Sequence, residues 1–233
     1  MTALNEAQQR AVDATEGPVL IVAGAGSGKT KVITHRILNL IKKGAAPSSI
    51  LAITFTNKAA KEMRERVYAL LAEDKTLNLP VSMTERPFLS TFHALGVHII
   101  REHAHLLKLT RHFTIYDRSD SKRAVKEATI QSGLDPKTYD PGLFLNLISK
   151  AKGAGMNSVM YHDAAKDFMA EMTASVWEKY DAILAKGCPG DVEDRLLKTA
   201  QLLATPAVRA RYNAAWKYGR IGEYQATNRV QYQ

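Results

Sequence analysis

Short apolar runs and segments with helical spacing alternate along the first half of the chain. Three apolar runs suit buried parallel strands, and they lie at 18–24, 50–55 and 88–90. Each is followed by a segment of helical spacing, and these segments lie at about 29–43, 58–72 and 92–105. Strands that alternate with helices predict an α/β fold, in which a parallel sheet is covered by helices on both faces.

Beyond about residue 116 the pattern becomes helical. Four stretches have helical spacing, at roughly 119–131, 141–151, 162–186 and 192–217. One more short run, 218–222, is compatible with a final strand. The change predicts a mostly helical insertion or a second domain after the α/β part.

A glycine-rich turn closes the first apolar run and ends in Lys29 and Thr30. Small residues let backbone N–H groups close around phosphate oxygens, which a Cβ would obstruct. The lysine reaches β- and γ-phosphates, the threonine hydroxyl suits Mg²⁺, and the helix that follows directs its positive end at the anion. Ala23 stands where the strict pattern has its first glycine. The turn still predicts a phosphate-binding loop rather than a chance strand-to-helix turn, made of Gly24, Ala25, Gly26, Ser27, Gly28, Lys29 and Thr30.

The composition predicts a class of binding partner and a cellular location. The 233 residues carry a net charge of +9, which favours a nucleic-acid partner because phosphate neutralisation drives such binding. The single cysteine, Cys188, forms no internal disulfide, so the reducing cytoplasm is the expected location. No apolar run approaches the roughly 20 residues of a membrane span, and the N-terminus lacks a signal-peptide pattern.

Two polar segments, 54–60 and 90–93, follow predicted strands. Ligands of open α/β sheets bind beyond the carboxyl ends of strands, and these segments combine rings, hydroxyls, an amide and a cation. That mixture suits the gripping of a single-stranded nucleic acid. The alternative for the first segment is Phe55 in the core with Asn57 as helix N-cap, and the second segment has the same alternative. The amide of Gln8, on a short helix before the loop, has a donor and an acceptor for adenine.

In the order and content of its motifs the chain resembles the UvrD/Rep-type superfamily 1 DNA helicases. The resemblance rests on the Gln8 segment, AGAGSGKT at 23–30, TFTNKAAKEMRERV at 54–67, TFHALG at 91–96, LLKTAQLL at 196–203 and EYQATN at 223–228. It implies a P-loop NTPase of RecA-like fold that uses ATP to move 3′ to 5′ along single-stranded DNA. It also implies three parts, namely a first part of the ATPase lobe at 1–116, a helical insertion at 117–190 and a return to the lobe at 191–233.

The resemblance assigns roles to individual residues. Gln8 would contact adenine, the loop would hold ATP with Mg²⁺ on Thr30, and Lys29 would be catalytic. Glu223 would activate the attacking water, and Gln225 would sense the γ-phosphate. The residues along the DNA would be Phe55, Asn57, Lys58, Thr91 and His93. The implied partners are single-stranded DNA and junctions of single- and double-stranded DNA, bound by a monomer with no membrane contact.

The chain departs from the family in its second acidic motif. Gly222 stands where the family has the aspartate that holds Mg²⁺, and Ala226 replaces a second aspartate. Gly219 and Arg220 interrupt the apolar strand, where an arginine is costly without a partner. Because the metal neutralises charge in phosphoryl transfer, these changes put hydrolysis in question.

Two functions therefore remain open at this stage. The first is the N-terminal lobe of an ATP-dependent DNA helicase, and the alternative is a non-catalytic module that binds ATP and single-stranded DNA. An unrelated P-loop kinase or small NTPase does not explain the two polar segments. The family's arginine fingers and second motor domain are not among these residues, so we expect binding without unwinding by this chain.

Overall fold

Three parallel strands form the sheet of the α/β part. The computed structural model describes residues 3–24, 26–74, 76–77, 86–107, 109, 116–187 and 190–232, without the side chains of 186–187. Within those residues the strands are β1 (Ile50–Thr54), β2 (Phe88–Thr91) and β3 (Tyr218–Ile221), and their order in the sheet is β2–β1–β3. The α/β fold is thereby confirmed, together with the strands predicted at 50–55, 88–90 and 218–222.

The register of the strands brings their carboxyl ends to one edge. Thr54 at the end of β1 pairs with Thr91 at the end of β2, and Ile53 pairs with Ile221 at the end of β3. The N–H of Gly222 donates a further hydrogen bond of 2.8 Å to the Ile53 carbonyl. Residues that directly follow the strands therefore lie at one edge of the sheet, where open parallel sheets bind ligands.

Two helices, α2 (Lys29–Lys42) and α3 (Asn57–Glu73), pack against the sheet and confirm the helices predicted there. Ala52 and Leu89 pair across the ladder, so they face the same side of the sheet. The buried core between the strands and these helices consists of Ile37, Leu40, Ile41, Ile50, Ala52, Met63, Val67 and Leu89. Each large apolar side chain withdrawn from water contributes about 1.5–3 kcal/mol, so this core holds α2 and α3 on one face.

Nine further helices lie in the described part of the chain. They are α1 (Glu6–Asp13), α4 (Phe92–Glu102), α5 (Arg118–Gln131), α6 (Pro141–Gly153), α7 (Ser158–Ala164), α8 (Phe168–Gly187), α9 (Val192–Ala204), α10 (Pro206–Ala215) and α11 (Arg229–Tyr232). Short 3₁₀ helices lie at Pro47–Ser49, Ala104–Leu107 and Tyr224–Ala226. Three helices, α5, α6 and α8, share a second core that includes Phe144, Trp177 and Tyr180. The predicted helical character of the second half is confirmed.

A buried ion network joins α6 to the start of α9. The Lys152 ammonium lies 2.8 Å from Asp191 Oδ2 and 2.7 Å from Asp194 Oδ1, and the Tyr180 hydroxyl donates to Asp191. Burial disfavours both charges, but the carboxylates raise the pKa of Lys152 and the ammonium lowers the pKa of Asp191. Asp191 also accepts from the Asp194 N–H and so caps α9. Every charge of the network is therefore paired and hydrogen-bonded.

The chain divides into two compact units. The first unit comprises 1–92 and 209–226 and contains the sheet, and the second comprises 93–208 and 227–233 and contains the helical core. The three-part division with boundaries at 116/117 and 190/191 stays a prediction. No helix among the described residues has the length and apolar character needed to cross a membrane.

The strand predicted at 18–24 is wrong. No strand forms there, and the side chains of Val19, Leu20, Ile21 and Val22 are between 37% and 89% exposed. A strand needs a neighbour to accept and donate its backbone hydrogen bonds, and no strand of the described part pairs with this run. The apolar composition is typical of a buried strand, but a strand also needs a neighbouring strand with which its backbone forms hydrogen bonds.

Two long helices predicted in the second half are each interrupted. The single helix predicted at 162–186 is wrong, because residues 165–167 separate α7 from α8. The Asp167 carboxylate accepts from the Ala170 N–H and so caps the first turn of α8. The prediction at 192–217 is wrong at Thr205, whose backbone is extended because a residue before a proline, here Pro206, avoids helical geometry. Helical spacing continues across both breaks, so the apolar pattern does not reveal them.

Arg220 on β3 leaves part of its guanidinium unsatisfied. It pairs with Ala52 across the ladder, so it lies on the face that α2 covers. Its Nη1 donates to the Gly219 carbonyl at 2.7 Å, whereas Nε and Nη2 are buried without a hydrogen-bond partner among the described residues. Burial, and then the charge of Arg36, lower the pKa of Arg220 to about 10. The cost expected of an arginine in this strand is therefore present.

We expect Arg220→Met to raise the free energy of unfolding by about 1–3 kcal/mol, because it removes two buried unpaired donors and keeps an apolar side chain of similar length. Urea unfolding of both proteins measures the change. The matched control is Arg209→Met at an exposed position of α10, which should change stability by less than about 0.5 kcal/mol. A less stable Arg220→Met protein would contradict the conclusion that the guanidinium is a net cost.

Candidate nucleotide and nucleic-acid site

The glycine-rich turn leads directly into α2. Gly28 is the N-cap of that helix with a φ of +83°, and Gly26 has a φ of +74°, both in the left-handed region that favours glycine. A Cβ added at Gly24 or Gly26 would meet no atom within 4 Å, so the loop is open there. The first N–H groups of an α-helix have no acceptor within the helix and are able to bind an anion. Ala25 lies outside the described residues.

Carbonyl groups of the loop hold two of its side chains. The Lys29 ammonium donates to the carbonyls of Ala23 at 3.0 Å and Gly24 at 2.8 Å. The Ser27 hydroxyl donates to the Gly24 carbonyl at 2.6 Å. Thr30 is the second residue of α2 and is half-buried. Lys29, whose ammonium is predicted to bind phosphate, and Thr30, whose hydroxyl is predicted to bind the cation, are thus adjacent residues at the start of α2.

Gln8 on α1 contacts this loop. Its Nε2 donates to the Ser27 carbonyl at 3.0 Å. Its Oε1 accepts from the Asn5 N–H, and the Asn5 side chain accepts from the Gln8 N–H, which is a capping box at the start of α1. An asparagine followed three residues later by a glutamine is a sequence signal for this cap, and apolar spacing alone does not indicate it.

Phe55 and Phe92 meet at the carboxyl edge of the sheet. Their ring centroids are 5.5 Å apart in an edge-to-face arrangement, and both rings are half-buried. Thr91, the last residue of β2, directly precedes Phe92 in the chain and is buried. The ring pair joins the polar segment after β1 to the one after β2, a contact that spacing along the chain does not predict.

Thr56 caps α3, so the alternative that makes Asn57 the N-cap is wrong. The Thr56 hydroxyl accepts from the Ala59 N–H at 3.1 Å. Asn57 and Lys58 are instead the first two residues of the helix, and both are exposed. An exposed amide and an exposed ammonium therefore lie directly after the carboxyl end of β1.

His93 belongs to the second unit, as the second residue of α4. Burial, and then the charge of Arg195, lower the pKa of His93, so the imidazole is neutral near pH 7. Helices α4 and α9 approach closely at Gly96, where a Cβ would lie 2.8 Å from Thr199 Oγ1. Arg195 is far from His93 along the chain, and no local signal in the sequence indicates that the two are neighbours.

Position 222 lies beside the start of α2. A Cβ at Gly222 would lie 3.7 Å from Ile33 Cδ1 and 3.9 Å from Thr54 Oγ1, which are ordinary van der Waals distances. Ile33 is about one helical turn beyond Lys29 on α2, so the end of β3 is close to the end of the phosphate loop. The structure thus places the end of β3 beside α2, about one turn beyond Lys29.

Glu223 and Gln225 lie in the exposed turn that follows β3. Glu223 has a φ of +57°, and it is the one residue other than glycine for which a positive φ is recorded in the described part of the chain. Such backbone conformations are uncommon for glutamate and concentrate at functional sites. Gln225 is in the short 3₁₀ helix that comes next.

The residues present fit the phosphates of a nucleotide and only part of a magnesium site. Open glycines, a helix start and Lys29 suit an oxyanion. Thr30 has a hydroxyl for a cation, but Gly222 has no carboxylate, and carboxylates are the usual protein ligands of Mg²⁺. Within the ranges that the structure describes, no group of three His, Cys, Asp or Glu residues is arranged to hold a metal ion.

Comparison with known proteins identifies the family of the chain. Residues 4–233 match the family model described as the UvrD/REP helicase N-terminal domain. Over 231 residues the chain is 42% identical to the ATP-dependent DNA helicase PcrA of Leuconostoc citreum, and 38% identical to those of Staphylococcus aureus and Staphylococcus epidermidis. These alignments cover 98% of this chain and 30% of each relative, so the chain spans less than a third of their length. The chain therefore belongs to the family of UvrD/REP helicase N-terminal domains.

Proposed function

We propose that this chain is the first lobe of an ATP-dependent DNA helicase and binds both ATP and single-stranded DNA. One observation carries the proposal, which is that a glycine-lined loop opening α2 at Lys29 and a ring pair of Phe55 and Phe92 belong to the same unit. The loop suits phosphate oxygens, and the rings with their polar neighbours suit a single strand. Relatives that are ATP-dependent DNA helicases support the same function.

In this proposal the nucleotide is bound along α1, the loop and the end of β3. Gln8 reads adenine, residues 24–30 hold the triphosphate, and the Thr30 hydroxyl would be a ligand of Mg²⁺, which would neutralise phosphate charge. Glu223 orients and deprotonates the attacking water, and Gln225 senses the γ-phosphate. The left-handed backbone at Glu223 supports a functional role for this turn.

The DNA contacts that we propose in the first unit follow the carboxyl edge of the sheet and are made by Phe55, Asn57, Lys58 and Thr91. A further proposed contact is made by His93, which belongs to the second unit. The exposed first turn of α3 and the net charge of +9 support contact with phosphates. We further propose 3′ to 5′ movement by the complete helicase, binding at junctions of single- and double-stranded DNA, a monomeric state and a cytoplasmic location.

Gly222 favours a second candidate, a module that binds ATP and single-stranded DNA without hydrolysis. Removal of one preorganised electrostatic group commonly lowers a rate by about 10²–10³. Binding needs the loop and the sheet edge, whereas phosphoryl transfer also needs neutralisation of the charge that develops. The two candidates therefore differ in turnover and agree in binding.

Lys29→Ala should abolish measurable ATP binding, because it removes the ammonium that lies within the phosphate loop. Isothermal titration with ATP and Mg²⁺ measures the loss. Lys61→Ala, at an exposed position of α3, removes the same charge elsewhere and should leave the affinity unchanged. An unaltered affinity of Lys29→Ala would refute the site.

Lys58→Ala should weaken single-stranded DNA binding and lower the slope of log affinity against log salt by about 0.7, the value for one phosphate contact on a single strand. Fluorescence anisotropy with labelled oligothymidylate at several salt concentrations gives both quantities. The control is again Lys61→Ala, one turn further along α3. Equal slopes for the two variants would remove Lys58 from the proposed DNA path.

Gly222→Asp should raise DNA-stimulated ATP hydrolysis by about 10²-fold, because it supplies the missing carboxylate. The position accepts a side chain, since Gly222 has no positive φ and its Cβ would meet no atom closer than 3.6 Å. The assay uses this chain fused to the remaining length of the Leuconostoc citreum relative. Gly222→Asn is the matched control, of the same shape without the charge. Equal rates for the two variants would show that the carboxylate does not limit hydrolysis.

A further inference from the structure

The Gln8 amide is bonded at both of its ends. Its oxygen accepts from the Asn5 N–H at 3.1 Å within the cap of α1, and its nitrogen donates to the Ser27 carbonyl at 3.0 Å. A side-chain amide has two N–H groups and two acceptor lone pairs. The cap and the loop use one of each, so one donor and one acceptor remain for a further ligand such as adenine.

The contact with Ser27 controls the direction of a neighbouring N–H group. The carbonyl of Ser27 and the N–H of Gly28 belong to one planar peptide group, and in a trans peptide they point in opposite directions. A hydrogen bond that fixes the carbonyl therefore also fixes the N–H. Gly28 is the N-cap of α2, at the end of the phosphate loop, where such N–H groups meet an anion.

The Gln8 amide lies directly over position 28. A Cβ there would lie 2.9 Å from Gln8 Nε2, so the amide would have to move away, and the φ of +83° disfavours a side chain independently. The amide of Gln8 therefore lies directly against the backbone of the loop. This proximity makes Gln8 a part of the loop's framework, in addition to any contact with a base.

We propose that Gln8 is a positioning residue of the phosphate loop, and that its hydrogen bond to Ser27 strengthens the binding of phosphate groups whether or not adenine is present. The inference rests on the proposed function, because it concerns the nucleotide site of that lobe. One amide then serves two tasks, since its remaining donor and acceptor read the base while the Ser27 bond orients the Gly28 N–H. Base recognition and phosphate binding are coupled through this side chain.

The test compares three ligands with and without the base, namely ATP, GTP and inorganic tripolyphosphate, each with Mg²⁺ and measured by isothermal titration. Gln8→Met removes both amide bonds at nearly constant size. It should weaken tripolyphosphate and GTP by a similar factor of about three to ten, the equivalent of one net hydrogen bond, and ATP by more, because the contact with adenine is lost as well. Gln8→Glu keeps an acceptor for the Asn5 N–H but has no donor for Ser27, and because its negative charge also repels phosphate it should weaken tripolyphosphate by more than Gln8→Met does.

Two controls separate this role from general damage. Asn5→Ala removes the side-chain cap of α1 but leaves the Ser27 contact, and Gln9→Ala removes an exposed amide that bonds Asp13. Neither should alter tripolyphosphate affinity. Circular dichroism of all variants verifies that α1 and the fold are retained.

The outcomes are distinguishable. Loss of ATP binding with unchanged tripolyphosphate binding in both Gln8 variants would overturn the inference and leave Gln8 as a reader of adenine within the proposed function. A wild-type chain that binds none of the three ligands would instead overturn the proposed function itself. Weakened binding of tripolyphosphate and GTP as well as ATP by Gln8→Met supports the positioning role.

Discussion

The parallel register of β1 with both of its neighbours is the constraint on which the site depends. Because Thr54 pairs with Thr91 and Ile53 with Ile221, the three strands end at one edge, and the residues after each strand are delivered there. The core beneath α2 and α3 maintains this register, since a slip of one residue would turn Ala52 to the opposite face. The position of α2 in turn determines where the phosphate loop ends. Apolar packing thus arranges the polar groups of the first unit.

Local sequence patterns predict the helices, strands and turns of this protein better than they predict which of these elements contact one another. The left-handed turn at Gly26 and Gly28 is predictable from the glycines before Lys29, because such a turn depends on backbone freedom within a few residues. The contact of Phe55 with Phe92 is not predictable in the same way, since it depends on how two strands pair. The run 18–24 has strand composition but no described strand beside it. The break before Pro206 is encoded locally, and continuous helical spacing conceals it.

Each unit contains a cationic side chain with buried nitrogen atoms, Lys152 in the second and Arg220 in the first, and the two differ in how well they are hydrogen-bonded. In the second unit, Lys152 has two carboxylate partners, so its desolvation is offset and α6 is tied to α9. In the first unit, Arg220 has two buried donors without a hydrogen-bond partner among the described residues, and its neighbour Gly219 has no side chain to pack. Within the described residues β2 and β3 each pair with β1 alone, but three of the four residues of β2 are buried and none of β3 is. The strand that leads to the acidic motif is therefore the less well packed of the two edge strands, and local opening of the sheet should begin there.

In the proposed function, binding and turnover depend on different parts of the first unit. The phosphate loop is held by Gln8 and by its own carbonyls, none of which involves position 222. At position 222 the fold uses only the backbone, because the Gly222 N–H donates to Ile53 whatever side chain is present. A Cβ there would meet only ordinary contacts, so neither packing nor backbone strain opposes an aspartate or requires one. The sheet thus does not require a carboxylate at position 222. In the proposed function, only ATP hydrolysis would require one.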